Sequence, residues 1–255
     1  MEFSDDLALL YKYRSLAGEY GRSTAEDIIL HDRMFWQNPA AFNDPFDCSP
    51  AFRLPGGRAG LRNWAKKAAR NVRPDLPRLQ RLILVRQATK RSVGEVIEDL
   101  RQGFLRWMEE SAIACFASAG DVPLMWSHYA DSHRGMCFVF QEQLKPTPFI
   151  ATEVSYSEER PSVDLTNLRT IATFKSAVLV KDKAWSYEGE RRMLDYRRGP
   201  GNRSFPPECL IGLILGARIS DSDVSFIAGL NDRRAKPLPI SRASLHQTRF
   251  SVEIG

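Results

Sequence analysis

Apolar positions along the chain change their period twice. The first segment, Leu7 to Ser15 (LALLYKYRS), is apolar and aromatic and ends in alternation, which predicts a strand. Ser23 followed by Glu26 has capping-box spacing and predicts a short helix running into Leu30. Met34-Phe35-Trp36 reads as a short strand leading through Asn38-Pro39 into the turn-rich FNDPFD, Phe42 to Asp47. After the break at Pro55-Gly56-Gly57 the period becomes helical, from Arg58 to about Arg70 and again from about Leu76 to Glu110. Leu79, Leu82 and Ile83, then Val93, Val96, Ile97, Leu100, Phe104 and Trp107, keep the 3–4 rhythm of one apolar stripe.

Past residue 111 the pattern returns to short strands. Ala112 to Ser118, Gly135 to Phe140 and Phe149 to Tyr156 are strand-like, with a helical turn over Val122 to Asp131 between the first two. Val163 to Ala177 predicts a helix, and Trp185 to Tyr196 contains a strand. Leu210 to Leu215 predicts a buried strand, Asp221 to Leu230 a helix, and Leu238 to Ile254 further strand-like pieces. Regular βαβ units, GxGxxG and Walker loops are missing, which disfavours a Rossmann fold. The expected fold class is α+β. A mixed, largely antiparallel twisted sheet would form the core of one domain over 1–255, with a helical insertion over residues 55–111.

Charge changes this picture. Between Ala51 and Arg106 there are fourteen Lys/Arg against four Asp/Glu, whereas the remainder holds 22 basic and 27 acidic residues. A basic module on an acidic body suggests nucleic acid, with Lys66, Lys67 and Arg70 as candidate phosphate contacts, unless these side chains merely solvate outer helix faces. The longest apolar stretch, Cys209 to Ala217, is too short to span a bilayer, and MEFSDDLALL carries acids where a signal peptide needs positive charge. A cytoplasmic protein without membrane partners is expected. Cys48, Cys115, Cys137 and Cys209 form no CxxC pair and the histidines no HExxH, so no metal is expected.

Four segments are denser in chemistry-bearing residues than a core requires: LYKYRS (Leu10 to Ser15), FNDPFD, PLMWSHYADSHRG (Pro123 to Gly135) and WSYEGERRM (Trp185 to Met193). In this order, from Leu10 to about Gly216, the chain resembles the uncharacterised prokaryotic family called domain of unknown function 2971. The motif order is also similar to that of the ADP-ribosyltransferase fold superfamily, including its DNA-modifying toxin branch. There, an early strand ends in Arg or His, a second carries small hydroxyl residues before an aromatic-bearing helix, and a later strand holds the catalytic Glu. Tyr13-Arg14-Ser15 looks like the first element, Ala117-Ser118 with Trp126 and Tyr129 like the second, and Glu188-Gly189-Glu190 like the third. A clear Ser-Thr-Ser is missing from the second, and no His ends the first.

The resemblance implies an enzyme that consumes NAD as substrate and modifies nucleic acid or protein, as a toxin or antiphage effector would. Breaking the nicotinamide–ribose bond passes through an oxocarbenium-like state, which a carboxylate stabilises more than the ground state. Glu190 is the expected catalytic acid, because Glu-x-Glu on a strand puts both acids on one face, and Glu188 would serve the acceptor. Arg14 would clamp ribose or pyrophosphate through its guanidinium fork, beside Tyr13 and Ser118. Trp126 and Tyr129 could stack on nicotinamide or adenine at about 1–3 kcal/mol each. The plainer readings are that Arg14 pairs with Asp44 or Asp47, that Trp126 anchors the core, and that Phe42 and Phe46 plug the core beneath a turn. Two other functions compete: a non-catalytic nucleic-acid-binding or sensor module built on the basic helices, and a metal-dependent nuclease using Asp44, Asp47, Glu188 and Glu190.

Overall fold

The computed structural model describes residues 7–164 and 170–255. In chain order come β1 (Leu9–Arg14), α1 (Gly18–His31), β2 (Arg33–Trp36), β3 (Ala51–Arg53), α2 (Gly57–Val72), α3 (Arg78–Lys90) and α4 (Val93–Glu109). Next are β4 (Ala112–Ala117), α5 (Pro123–Tyr129), β5 (Met136–Gln141), β6 (Thr152–Glu153), β7 (Ser155–Ser157), β8 (Ser162–Asp164) and α6 (Ile171–Val178). Last are β9 (Val180–Asp182), β10 (Glu190–Asp195), β11 (Gly201–Ser204), β12 (Leu210–Leu215), α7 (Asp221–Asp232), β13 (Ile240–Leu245) and β14 (Val252–Ile254). The class is α+β with a large, mostly antiparallel sheet. Its order is β14-β13-β12-β5-β1-β4-β10-β6, and its parallel pair is β12–β13, joined through the α7 crossover.

That sheet is two halves held at one place. β1 pairs with β5 along its whole length, from Leu9↔Gln141 to Arg14↔Met136, and β4 pairs with β10 from Ala112↔Asp195 to Ala117↔Glu190. β1 and β4 pair with each other at Tyr11↔Ala117 alone among the described residues. Continued register would set Tyr13 opposite Cys115. Instead the strands part, and Lys12 Nζ donates to the Cys115 carbonyl at 2.9 Å, satisfying an acceptor that ladder pairing would otherwise have used.

Two apolar layers flank the sheet. On one face Leu10, Ala114, Phe116, Phe138 and Phe140 pack under α1 and α7, whose Ile28, Ile29, Ile227 and Leu230 are buried. The other face carries Tyr13, Ala117, Cys137 and Ile214 against Trp126 of α5, and Ile113 against Phe104, Met108 and Phe174 of α4 and α6. Each fully buried Phe or Leu contributes about 1.5–3 kcal/mol, so this alternation fixes the register of the central strands.

The structure departs from the sequence-based expectations at particular elements. α1 begins at Gly18, and Ser23 lies inside it, donating its hydroxyl to the Tyr20 carbonyl; it does not cap. The capping box that does form is Ser92 with Glu95, which starts α4 and splits the helical run into two helices. The single stripe fails on α3, where Leu79, Leu82 and Ile83 are 72%, 48% and 51% exposed and Val85 faces the α2 residues Ala65 and Ala69. Between Phe149 and Tyr156 the chain changes partners at Val154: β6 joins β10, whereas β7 pairs in parallel with β9. Val163 belongs to β8, which pairs with β3. The expected helix reaches only Ile171–Val178, and residues 165–169 lie outside the described residues.

Candidate functional site

Where β1 and β4 part there is a cavity of about 250 Å³. Tyr11 and Tyr13 reach it from one face of β1, Lys12 and Arg14 from the other, and both Cys115 and Phe116 of β4 line it. Successive strand residues point to opposite faces, so the cavity passes through the sheet at the opening.

The β1 wall carries two basic side chains with no carboxylate in direct contact among the described residues. Lys12 is 4% exposed, and its ammonium donates to one carbonyl, that of Cys115. Burial, and then the neighbouring Arg14, pull its pKa down to about 7. Arg14 has no hydrogen bond or ion pair from its side chain among the described residues, and its Nε is shielded from solvent without a partner. It pairs with neither Asp44 nor Asp47. Asp44 accepts from Phe46 N and from Trp185 Nε1, and Asp47 receives Arg192. Of the FNDPFD aromatics, Phe42 is half-buried against the core and lies over the Arg192 guanidinium, but Phe46 is 62% exposed beside Arg160, so it plugs nothing.

The opposite wall is a buried charge network. Arg192 grips Glu190 through Nε (2.7 Å) and Nη2 (2.8 Å), and Asp47 through Nη1 (3.0 Å) and Nη2 (2.6 Å). Lys181 Nζ donates to Glu190 Oε2 at 3.0 Å and to Glu188 Oε2, with Asp47 at 3.7 Å. Tyr129 Oη donates to Glu188 Oε1 at 2.7 Å. Burial pushes the Glu190 carboxyl up, but Arg192 and Lys181 outweigh it and hold it down at about 2. Glu188 moves the other way: burial raises it further than Lys181 and Tyr129 lower it. Burial also raises the Tyr129 phenol and the Cys115 thiol, so both stay protonated. Asp47, Glu188 and Glu190 face two cations here, leaving one net negative charge opposite the uncompensated Lys12 and Arg14. Of the four acids expected for a nuclease, Asp47, Glu188 and Glu190 are held by Lys181 and Arg192, whereas Asp44 accepts from Phe46 N and Trp185 Nε1.

Glu188 and Glu190 do not share a strand face. Glu188 ends a 3₁₀ turn (Lys183–Glu188), Gly189 follows at φ +50°, and Glu190 opens β10. The carboxylates meet because the left-handed turn folds both onto Lys181. A Cβ at position 189 would come 2.1 Å from Ser118 Oγ, so glycine is required by space as well as by φ.

The predicted residues are partly gathered. Arg14, Tyr13, Tyr129, Glu188 and Glu190 line one cavity. Ser118 lines a neighbouring one with Asp121 and Val252, and Trp126 is fully buried, edge-on to Tyr13, donating to the Gly120 carbonyl. A ligand has no access to that indole, so the stacking role falls away and Met125 reaches the cavity in its place. Lys66, Lys67 and Arg70 lie on α2, outside the cavity lining; Lys67 and Arg70 are exposed and none of the three is in an ion pair among the described residues. Lys12, Lys181 and Arg192 were not foreseen from the sequence, and Asp47 was expected only as a nuclease acid or a partner of Arg14. A signal existed for Lys12 and Lys181: each is a lysine set inside an apolar or aromatic strand, LYKYR and VLVKD, where an ordinary surface lysine is out of place.

A family described as Protein of unknown function (DUF2971) matches residues 125–193. That stretch runs from α5 to β10 and carries Tyr129, Lys181, Glu188, Glu190 and Arg192. It takes in most of one of the four motifs and the whole of another, fewer than the Leu10 to Gly216 resemblance would cover. No curated protein and no solved structure matches the chain.

Proposed function

We propose that the protein is an NAD⁺-consuming, ADP-ribosyltransferase-like enzyme. The observation that carries this reading is the charge layout of the cavity: Lys12 and Arg14, without carboxylate partners, face Tyr129, Glu188 and Glu190 across an opened sheet. NAD⁺ has the complementary layout, an anionic pyrophosphate and a ribose carbon that becomes positive as nicotinamide leaves. The cavity is smaller than the usual roughly 300–1,000 Å³ of ligand pockets, so it would enclose the reacting half of the dinucleotide and leave the adenosine outside.

Geometry divides the two acids. Glu190 spends both oxygens on Arg192 and Lys181 and serves as a fixed negative charge beneath the reacting carbon. Glu188, held by one cation and one hydroxyl, is the carboxylate better able to exchange a partner for ribose or an acceptor. The test is incubation with NAD⁺ labelled in nicotinamide, with and without DNA, RNA and lysate protein. Release of label that disappears in Arg14→Ala supports the reading, and no release under any condition sinks it.

A second reading, a nucleic-acid-binding module, is favoured by one feature: the exposed Lys67 and Arg70 on α2 lack ion-pair partners, within a segment of strong positive excess. Binding that falls log-linearly with salt, without NAD⁺ turnover, would mark it.

A further inference from the structure

We infer that the cavity beside the candidate site binds a linear aliphatic polyamine, whose ammonium groups meet Asp121 at one end and Glu253 at the other while its methylenes lie along the sheet. The inference is independent of NAD⁺ turnover, because Tyr11 is the one lining residue that the two cavities share.

The space measures about 700 Å³, within the usual roughly 300–1,000 Å³ of ligand pockets. α5 covers this face of the sheet over Tyr13, Cys137 and Ile214. Two residues further along the strands, the cross-strand neighbours Tyr11, Val139 and Gly212 line the cavity instead. Gly212 deepens it. The bulge beside Gly212 leaves its φ outside the left-handed region, and an added Cβ would meet Pro239 and Val139 at 3.7–3.8 Å, which is ordinary contact. Neither backbone nor packing calls for glycine in the middle of β12, and a glycine inside a strand leaves room for a ligand to approach the backbone.

Gly120 closes one end. A Cβ there would come 2.7 Å from the Tyr11 ring, so glycine lets the turn over residues 118–121 lie on that ring as a wall. Three hydrogen bonds fix the wall: Ser118 N to the Gly189 carbonyl (3.0 Å), Tyr13 Oη to the Ala119 carbonyl (2.8 Å) and Trp126 Nε1 to the Gly120 carbonyl (2.9 Å).

The lining carries charge of one sign. Asp121 and Glu253 are its charged residues among those described, and both are exposed. Asp121 has no hydrogen bond or ion pair among the described residues, and Glu253 has His246 and Arg249 only at 3.7 and 3.8 Å. Asp121 stands beside β1 and Glu253 on β14, four strand spacings or roughly 19 Å away. Acids at both ends repel phosphates, and the net charge of +5 opposes diffuse capture of a polycation, so recognition has to be local. An aliphatic amine fits this layout, because its stem covers apolar surface while its charged heads stay hydrated. Inner ammonium groups find acceptors in the hydroxyls of Tyr11, Ser118 and Ser241, which have no hydrogen-bond partner among the described residues.

The probe is spermine, titrated calorimetrically at about 0.15 M salt, with 1,4-diaminobutane as a short cation and magnesium ion as a compact one. Spermine is expected to bind at one site per chain. The diamine should bind at least tenfold more weakly, since it cannot reach both acids, and magnesium should not compete. Asp121→Asn and Glu253→Gln alter exposed side chains, so each should keep the wild-type melting temperature. Each should also weaken spermine about tenfold, as a hydrogen bond to a charged group is lost. Gly212→Val should fill the floor and abolish binding. Three results would each overturn the inference, whether or not Gly212→Val folds: unchanged spermine affinity in both acid variants, a diamine that binds as tightly, or no saturable binding by the unaltered protein.

Discussion

Tyr129 Oη lies 2.7 Å from Glu188 Oε1, joining α5 to the end of a 3₁₀ turn fifty-nine residues later in the chain. The phenol is raised by burial and by this carboxylate, so it stays protonated and donates to the ionised carboxylate. Its hydrogen bond favours the ionised form of Glu188 and opposes the upward push of burial.

Removing that hydroxyl should therefore move an acid limb. In Tyr129→Phe the Glu188 carboxyl loses a contact that lowers its pKa, and the acidic limb of kcat/KM for NAD⁺ should shift to higher pH. Turnover at neutral pH should fall by about tenfold or more, as losing a hydrogen bond to a charged group costs about 1.5–3 kcal/mol. An unchanged pH profile would show that Glu188 takes no part.

Glu188→Gln and Glu190→Gln should differ in kind. Glu190 is the partner of two buried cations, and its amide replacement should cost on the order of 3–5 kcal/mol, read as a lower urea midpoint. Glu188→Gln should unfold at a urea concentration nearer the wild-type value yet lose about 10²–10³ in rate. Equal stability losses would place the two carboxylates in one structural role.

Acid titration follows from the depressed Glu190 carboxyl. Its folded pKa, about 2, lies below the unfolded value of 4.5, so its contribution to stability is complete above 4.5 and is lost as pH falls towards 2. Glu190→Gln should flatten the wild-type fall in stability across that window, measured by urea unfolding at a series of pH values.

Lys12→Met should stabilise the unliganded protein. The folded pKa of about 7 lies below the unfolded 10.5, so the lysine lowers stability throughout neutral pH, and the penalty fades as pH rises from 7 to 10.5. Linkage puts the relief on the order of 5 kcal/mol before any packing loss. Tm at pH 7 should rise, and the gap to wild type should close towards pH 10.5. A fall in Tm would mean that the bond to the Cys115 carbonyl outweighs the buried charge.

Gly189→Ala should cost about 1–2 kcal/mol from its left-handed backbone alone, plus the collision with Ser118 Oγ. Ser118→Ala in the same chain should recover the steric part and leave the backbone part. Full recovery in thermal melts would show that the φ of +50° is not enforced.

The central sheet strands were legible because they are short apolar runs bounded by polar and turn residues. AIACFA and GMCFVF are short apolar runs buried on both faces, and LYKYR sets its polar residues among aromatics. β6 and most of β7 fall within the strand expected over Phe149 to Tyr156, but their division at Val154 was not legible, nor were β3 and β8, because pieces of two or three residues have no period and are set by their partners. The stripe on α3 misled for a related reason: periodicity reports which residues could be buried, not how much surface a neighbour offers, and α2 covers only one edge. Around the site, Arg14 and Glu190, named from the order of the motifs, both line the one cavity. The pairing of Arg192 with Asp47, across 145 residues, leaves no local trace in the sequence.

That long pairing also dictates when the site can exist. β1 emerges first during synthesis, but its edges wait for β5, which begins at Met136, and for β4. The charged wall waits longer still, until Arg192 has been made and can close on Asp47. β1 can therefore be paired with β5 and β4 before the wall that faces Lys12 and Arg14 has closed. The cavity thus has one wall built from strands paired along their length and another that closes only through a contact across 145 residues.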